Sequence, residues 1–428
     1  MYKLVGKFYI GILLVIFGGI VLHAPFSVGF GTMCPQYCLL IKSWKEFLLL
    51  FAGLIALFLM YKTKQFKILR DPIIVAIGAY AMLHLILLFY MSQGLFASLA
   101  GLIINLRYLL FFGLVYIAMR LYPEYRKFFI RAGIAGALVV MIFALLQVFI
   151  LPHDILKYIG YNVDTINPYL TIDKNHDFIR INSTLRGPNP LGSYAGIVLT
   201  LILAAIAKHK IKKEKWPLII TAILSVGGVV ALWASYSRSA MIGTLIALAI
   251  ILMTALYRKF SKKIWIITGL LLIILIGGLY MARNTQFVSN VIFHDNPISG
   301  SNVDSNASHI TSLGDGIKQM IRQPLGAGIG STGSASIIGG QPDIIENQYL
   351  VIANEVGWLG LGLFIFIFGF ILSKLWELRS DWLALGVFAS GVGLAVIGLF
   401  LPVWTDDTIA IIWWGLAAIA LIPTDKGL

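Results

Sequence analysis

Charge is scarce in this chain: only 12% of its 428 residues are Asp, Glu, Lys or Arg, where a soluble domain carries about 25%. A surface so poor in charge is not stable in water, which excludes a string of soluble domains. Cysteine is almost absent. The two copies, Cys34 and Cys38, exclude a disulfide-built scaffold and are too few for a cysteine-based zinc site. Within this C-x3-C pair, a disulfide and two separate thiols both remain open. Histidine is sparse too: the seven copies form neither H-x3-H nor H-E-x-x-H, and no D-x-D occurs. With no metal-site motif, metal-independent chemistry without a cofactor is the expectation. No internal repeat or low-complexity tract is visible, and the first apolar run reads as retained rather than as a cleaved signal peptide.

What is abundant is apolar sequence, at 59% of residues and a mean hydropathy of +0.88. A membrane helix needs roughly 20 mostly apolar residues, and about twelve segments meet that criterion. They lie near 6–24, 46–61, 72–91, 98–119, 130–151, 189–207, 217–234, 238–257, 264–281, 348–373, 382–402 and 406–423. The expected fold class is all-α: one integral-membrane bundle over residues 1–428, with long outer loops at 152–188 and 282–347, the second between the ninth and tenth helices. Most of the 33 basic residues fall in alternate short connections, such as Lys62 to Arg70, Arg120 to Arg131, Lys208 to Lys215 and Arg258 to Lys263. The positive-inside rule then places both termini in the cytoplasm and the protein in the cytoplasmic (inner) membrane as a multi-pass chain. The net charge of +14 is thus mostly a topology signal. It is not a nucleic-acid footprint, which needs one concentrated basic face.

Long connections are usually functional or disordered, so chemistry is sought where the two long loops meet the bundle. The segment Arg180 to Tyr194 closes the first loop and contains Arg186, Gly187, Pro188 and Asn189. Pro suits a helix start. Two guanidiniums beside the free N–H groups of a helix N-terminus form an anion site, for which a diphosphate is the natural ligand; anchoring to lipid headgroups is the alternative use. Next, Ser235-Tyr-Ser237-Arg238-Ser239 forms a very short turn between two spans. An arginine held there is expensive and marks a functional position with an anionic partner, unless it caps a neighbouring carboxylate. Ser235, Ser237 and Ser239 are hydroxyl donors beside it, and Arg107 poses the same question as Arg238 less sharply.

The second long loop carries His309 and the run Pro324 to Gly333. Gly328 to Gly333 fits G-x-G-x-x-G but follows no strand of a βαβ unit, so it is refused as a nucleotide fingerprint. It reads as a flexible hinge or as a source of backbone N–H groups for a ligand. Glu346-Asn347-Gln348-Tyr349 opens the tenth span. Glu346 is placed to act as a general base toward a sugar hydroxyl or, more plainly, as a helix cap; Asp343 is its neighbour. Asp406 and Asp407, in the last outer turn, are placed to orient an acceptor or to pair with Arg238.

Taken in order, three segments resemble the O-antigen ligase/O-antigen polymerase superfamily of bacterial envelope glycosyltransferases. They are Arg180 to Tyr194; Ser237-Arg238-Ser239-Ala240; and Pro324-Leu-Gly-Ala-Gly328 through Glu346-Asn347 to Tyr349-Leu350, followed by Gly357-Trp-Leu-Gly360. The resemblance spans residues 100–420 and implies a GT-C-like fold. It also implies transfer of a glycan from a polyprenyl diphosphate carrier to an acceptor hydroxyl on a glycan, lipid or protein, with no nucleic acid involved. On that likeness Arg180 and Arg238 hold the diphosphate and act catalytically with Glu346, while Arg186, Asn189, Asn347, His309 and Tyr349 bind substrate. Glu346 departs from the family: the ligase branch has His-Asn where this chain has Glu346-Asn347, which tilts the reading toward a polymerase or a separate branch. Two other classes compete. One is a transporter or flippase of lipid-linked glycan, disfavoured by few polar groups in mid-span; the other is an inactive scaffold for envelope assembly.

Overall fold

The computed structural model describes residues 2–91, 93–172, 175–208, 217–256, 305–340 and 342–422. The long helices are α1 (Tyr2–Gly19), which runs through a 3-10 turn into α2 (His23–Met33), then α4 (Trp44–Thr63), α5 (Pro72–Tyr90), α6 (Leu95–Leu121) and α7 (Arg126–Phe149). They are followed by α8 (Pro188–Ala207), α9 (Leu218–Ala234), α10 (Arg238–Leu256), α13 (Gln348–Glu377), α14 (Trp382–Ile397) and α15 (Asp407–Ala420). Among the described residues, eight helical stretches are long and apolar enough to cross a membrane, while α9, α14 and α15 are shorter apolar helices. The expected span at 264–281 lies outside the described residues. The first span exceeds its expected end at 24, since the helix continues to Met33.

Polar residues fix where these helices begin. Asp71 accepts from Ile73 N at 3.1 Å with Pro72 in the first turn of α5, and Asp381 accepts from Leu383 N and Ala384 N at the start of α14. Each cap satisfies N–H groups that a helix start leaves open. Both aspartates also meet arginines at that end of the bundle: Arg120 reaches Asp71 at 3.1 Å and Arg126 reaches Asp381 at 3.0 Å.

In lipid, burying apolar surface does not drive helices together, so close approach through small residues matters more. The contact of α8, α10 and α14 follows that rule. A Cβ on Gly243 would lie 2.6 Å from Gly393 O, and one on Gly393 would lie 2.5 Å from Gly243 O. Gly192 of α8 likewise abuts Ser235 and Ala240. Beside this seam sits an aromatic core of Trp404, Trp413, Trp414, Phe364, Phe368, Tyr108 and Phe112.

The two long connections are more ordered than loops. The first holds a 3-10 turn (Ile155–Ile159) and an antiparallel hairpin of β1 (Leu170–Ile172) and β2 (Asn175–Arg180). In the second, the described part holds α11 (Ser305–Arg322) and the short α12 (Gly333–Ile338). Earlier in the chain, Cys34 and Cys38 flank a short turn before α3 (Cys38–Lys42), and both are free thiols.

Candidate functional site

The end of β2 brings Arg180 onto the α9–α10 turn. Its Nε donates to Ser235 O at 2.9 Å and its Nη2 to Asn189 Oδ1 at 2.7 Å. Ile181 N reaches Ala234 O, and Phe178 meets Tyr236 edge to face. Arg180, Asn189 at the start of α8, and the turn leading to Arg238 therefore form one unit. The backbone is strained there: Ser183 and Tyr236 adopt φ of 50° and 47°, a region that non-glycine residues rarely enter and that collects at functional sites. Surrounding bonds hold it. Ser183 N takes Gln147 Oε1, and Ser183 Oγ donates to Val140 O. The Ser235 hydroxyl is committed to the turn, donating to Leu232 O and accepting from Ser237 N. Arg180, Asn189 and Arg238 are partly buried, and Arg186 is exposed.

A second segment converges on the connection 398–406. Asn347, rather than Glu346, caps α13: its Oδ1 accepts from Tyr349 N and Leu350 N while its Nδ2 donates to Leu399 O. Glu346 precedes the cap and is partly buried. Gln348 anchors the same connection through Trp404 N and Gly398 O. Tyr349 donates its hydroxyl to Ala395 O at 2.9 Å. Asn347 and Tyr349, expected to bind substrate, thus use these groups to fix the helix start. The α14 end joins the two segments, because Ile397 faces Gly243 of α10 and Gly398 faces Gln348. Arg186 lies close enough to act electrostatically on Asp406. His309 falls on α11, but its side chain is outside the described residues.

Asp407 corrects an expectation. Expected to orient an acceptor sugar or to pair with Arg238, it pairs instead with Arg107, with Lys45 at 3.1 Å and with His23 at 3.0 Å. Glu46 sits 3.1 Å from Lys45, and Arg107 also donates to Thr405 O. The cluster ties α2, α4 and α6 to the start of α15. Lys45, Glu46 and Asp407 stand in the first turns of their helices, and Arg107 lies within α6.

Glu355 was missed. It is 2% exposed on α13, with Oε1 accepting from Gly330 N at 3.2 Å and from Thr332 N and Oγ1 at 3.3 Å, and Oε2 accepting from Asn105 Nδ2. The glycine run is consequently a fixed latch, not a hinge, and its N–H groups face the buried Glu355 carboxyl. Two turns require glycine. Gly330 has φ +85° and sits against Ala97 O, and Gly357 breaks α13 at φ +70° where Pro324 O comes within 2.6 Å of a built Cβ. A side chain at either would meet both strain and backbone. A lone carboxylate inside an apolar span was the available signal, since such groups demand partners.

Residues 220–365 match the O-antigen ligase family model. The match supports the O-antigen ligase/polymerase superfamily and covers Arg238, the glycine latch, Glu346, Asn347, Tyr349 and Glu355. Arg180, Arg186 and Asn189 lie outside it. A comparison with curated proteins finds no match.

Proposed function

We propose that this O-antigen ligase-family protein transfers a glycan from a polyprenyl diphosphate carrier to an acceptor hydroxyl, without metal, on the outer face of the cytoplasmic membrane. Surface polysaccharide polymerisation is favoured over ligation, because Glu346 stands where the ligase branch has histidine. The reading rests on the convergence of Arg180, Asn189 and the Ser235–Arg238 turn with the Glu346–Gln348 segment at one end of the bundle. Arg180, Arg186 and Arg238 would hold the diphosphate, and preorganised cations at a departing anion lower the barrier. The acceptor oxygen attacks the anomeric carbon while its proton passes to Glu346. The anomeric C–O bond to the diphosphate breaks, and the carrier leaves with that electron pair. His309 stands with Glu346 as a residue to test at the acceptor side.

The test is transfer by reconstituted protein given polyprenyl diphosphate-linked repeats. Arg238→Ala and Glu346→Gln are each expected to cut turnover by about 100-fold or more, in the range for lost charge stabilisation and general-base action. Insertion and thermal unfolding should match the unaltered protein. Full turnover in Arg238→Ala overturns the mechanism.

A further inference from the structure

A cleft of about 410 Å³ opens beside the proposed reaction centre, lined by Thr311, Ser312, Asp315, Gln319, Asp343 and Ile345. One wall is α11 and the other is the chain running into Glu346. Ser312 Oγ donates to Ile344 O at 3.4 Å and Gln319 Nε2 to Asp343 Oδ2 at 3.3 Å, so the two walls are tied. The Asp343 backbone is held as well, its N on Ser336 Oγ and its O on Gly333 N. The volume falls in the span of about 300–1,000 Å³ typical of small-ligand pockets.

The chemistry of the lining differs from that of the arginine end. Two carboxylates, an amide and two hydroxyls face the space, and its nearby cation, Lys318, sits 3.0 Å from Asp315. Such a lining repels phosphate. It suits a ligand with many hydroxyl donors, because hydrogen bonds to ionised acceptors are the strong ones. Ile344, exposed at the cleft, adds apolar surface for the C–H face of a pyranose ring. The cleft wall runs directly from Ile345 into Glu346, so a sugar seated here would lie next to the proposed base.

We propose that this cleft is the subsite for the acceptor glycan, taking an uncharged saccharide through Asp343, Gln319, Asp315 and Thr311. The assignment rests on the glycan-transfer reading and divides the labour by charge: the arginines take the diphosphate and the acidic cleft takes the sugar.

The experiment uses the full chain in lipid nanodiscs. Free oligosaccharides released by mild acid from the producing cell's surface polysaccharide are the probe, with binding read by saturation-transfer NMR and titration. The variants are Asp343→Asn with Gln319→Ala, and separately Thr311→Trp, which fills the cleft from an exposed position. Both should lower saccharide affinity by about tenfold or more, the first through the loss of one or two charged hydrogen bonds and the second by filling the space. Binding of undecaprenyl diphosphate without sugar should stay unchanged. Saccharide affinity within about twofold of the unaltered protein in both variants overturns the cleft assignment. Cleft-dependent saccharide binding with no turnover from any carrier-linked donor overturns the transfer reading instead, so the two failures are separable.

Discussion

Glu355 and Asp407 are both carboxylates sunk among helices, and they are held by opposite means. Glu355 is ringed by neutral donors from the glycine latch and Asn105. Asp407 is held by cations: Arg107, Lys45 and His23. Dipoles from one loop fasten that loop to α13. Charges from three helices fasten the bundle to α15. The first centre should therefore govern local order around Glu346, and the second global stability. Neither resembles the rim, where Arg186 is exposed and open to a ligand.

The largest effect is expected at Asp407. Asp407→Ala removes the carboxylate that both buried Lys45 and buried Arg107 pair with, and breaking a buried pair from one side costs about 3–5 kcal/mol. Thermal unfolding in detergent should show it. Adding Arg107→Met and Lys45→Met should recover much of the loss, since an apolar replacement of a whole cluster is often neutral. A triple variant as unstable as Asp407→Ala would break the contrast with Glu355.

Next comes Glu355→Gln. The amide oxygen still accepts from Gly330 and Thr332, but the second acceptor, the oxygen that takes Asn105 Nδ2, becomes an NH2 group, for a loss of about 1–2 kcal/mol. Hydrogen exchange should quicken across 324–333 and leave α15 protected. Exchange that spreads equally to α6 and α15 would show that Glu355 is a global tie like Asp407.

How much of this was readable beforehand follows from the length scale of each signal. Helices α4 and α5, at Trp44–Thr63 and Pro72–Tyr90, fall within a few residues of the expected 46–61 and 72–91, because a whole span of apolar residues announces itself. The placing of Arg180 beside a helix start was readable from Gly187 and Pro188, though its bonds to Asn189 and Ser235 O needed the hairpin. Glu355 was hidden because one carboxylate barely moves the average of a long apolar run. Lys45 and Glu46 stand at the edge of an apolar span, where a charge gives no sign of a partner on another helix. Helix α11 lies in a stretch expected as loop, although Leu313, Ile317 and Ile321 repeat every four residues, an amphipathic period too polar to stand out as a membrane span. The acidic cleft was invisible for the same reason, since one of its walls is that helix.

The smallest effect isolates the latch itself. Thr332 contributes two donors to Glu355, its backbone N–H and its hydroxyl, and it is 3% exposed. Thr332→Val keeps the shape, the branching and the N–H, and removes only the hydroxyl. Glu355 then retains Gly330, Asn105 and the Thr332 N–H, so stability should fall by about 1 kcal/mol or less, the worth of one hydrogen bond. If the latch positions the chain that runs on through Asp343 to Glu346, turnover should fall severalfold with little change in melting temperature. Thr332→Ser, which restores the hydroxyl, should recover it. Unchanged turnover in Thr332→Val, with exchange at 324–333 also unchanged, would mean that Glu355 does not need the Thr332 hydroxyl. The latch would then be held by Asn105 and the N–H groups of Gly330 and Thr332.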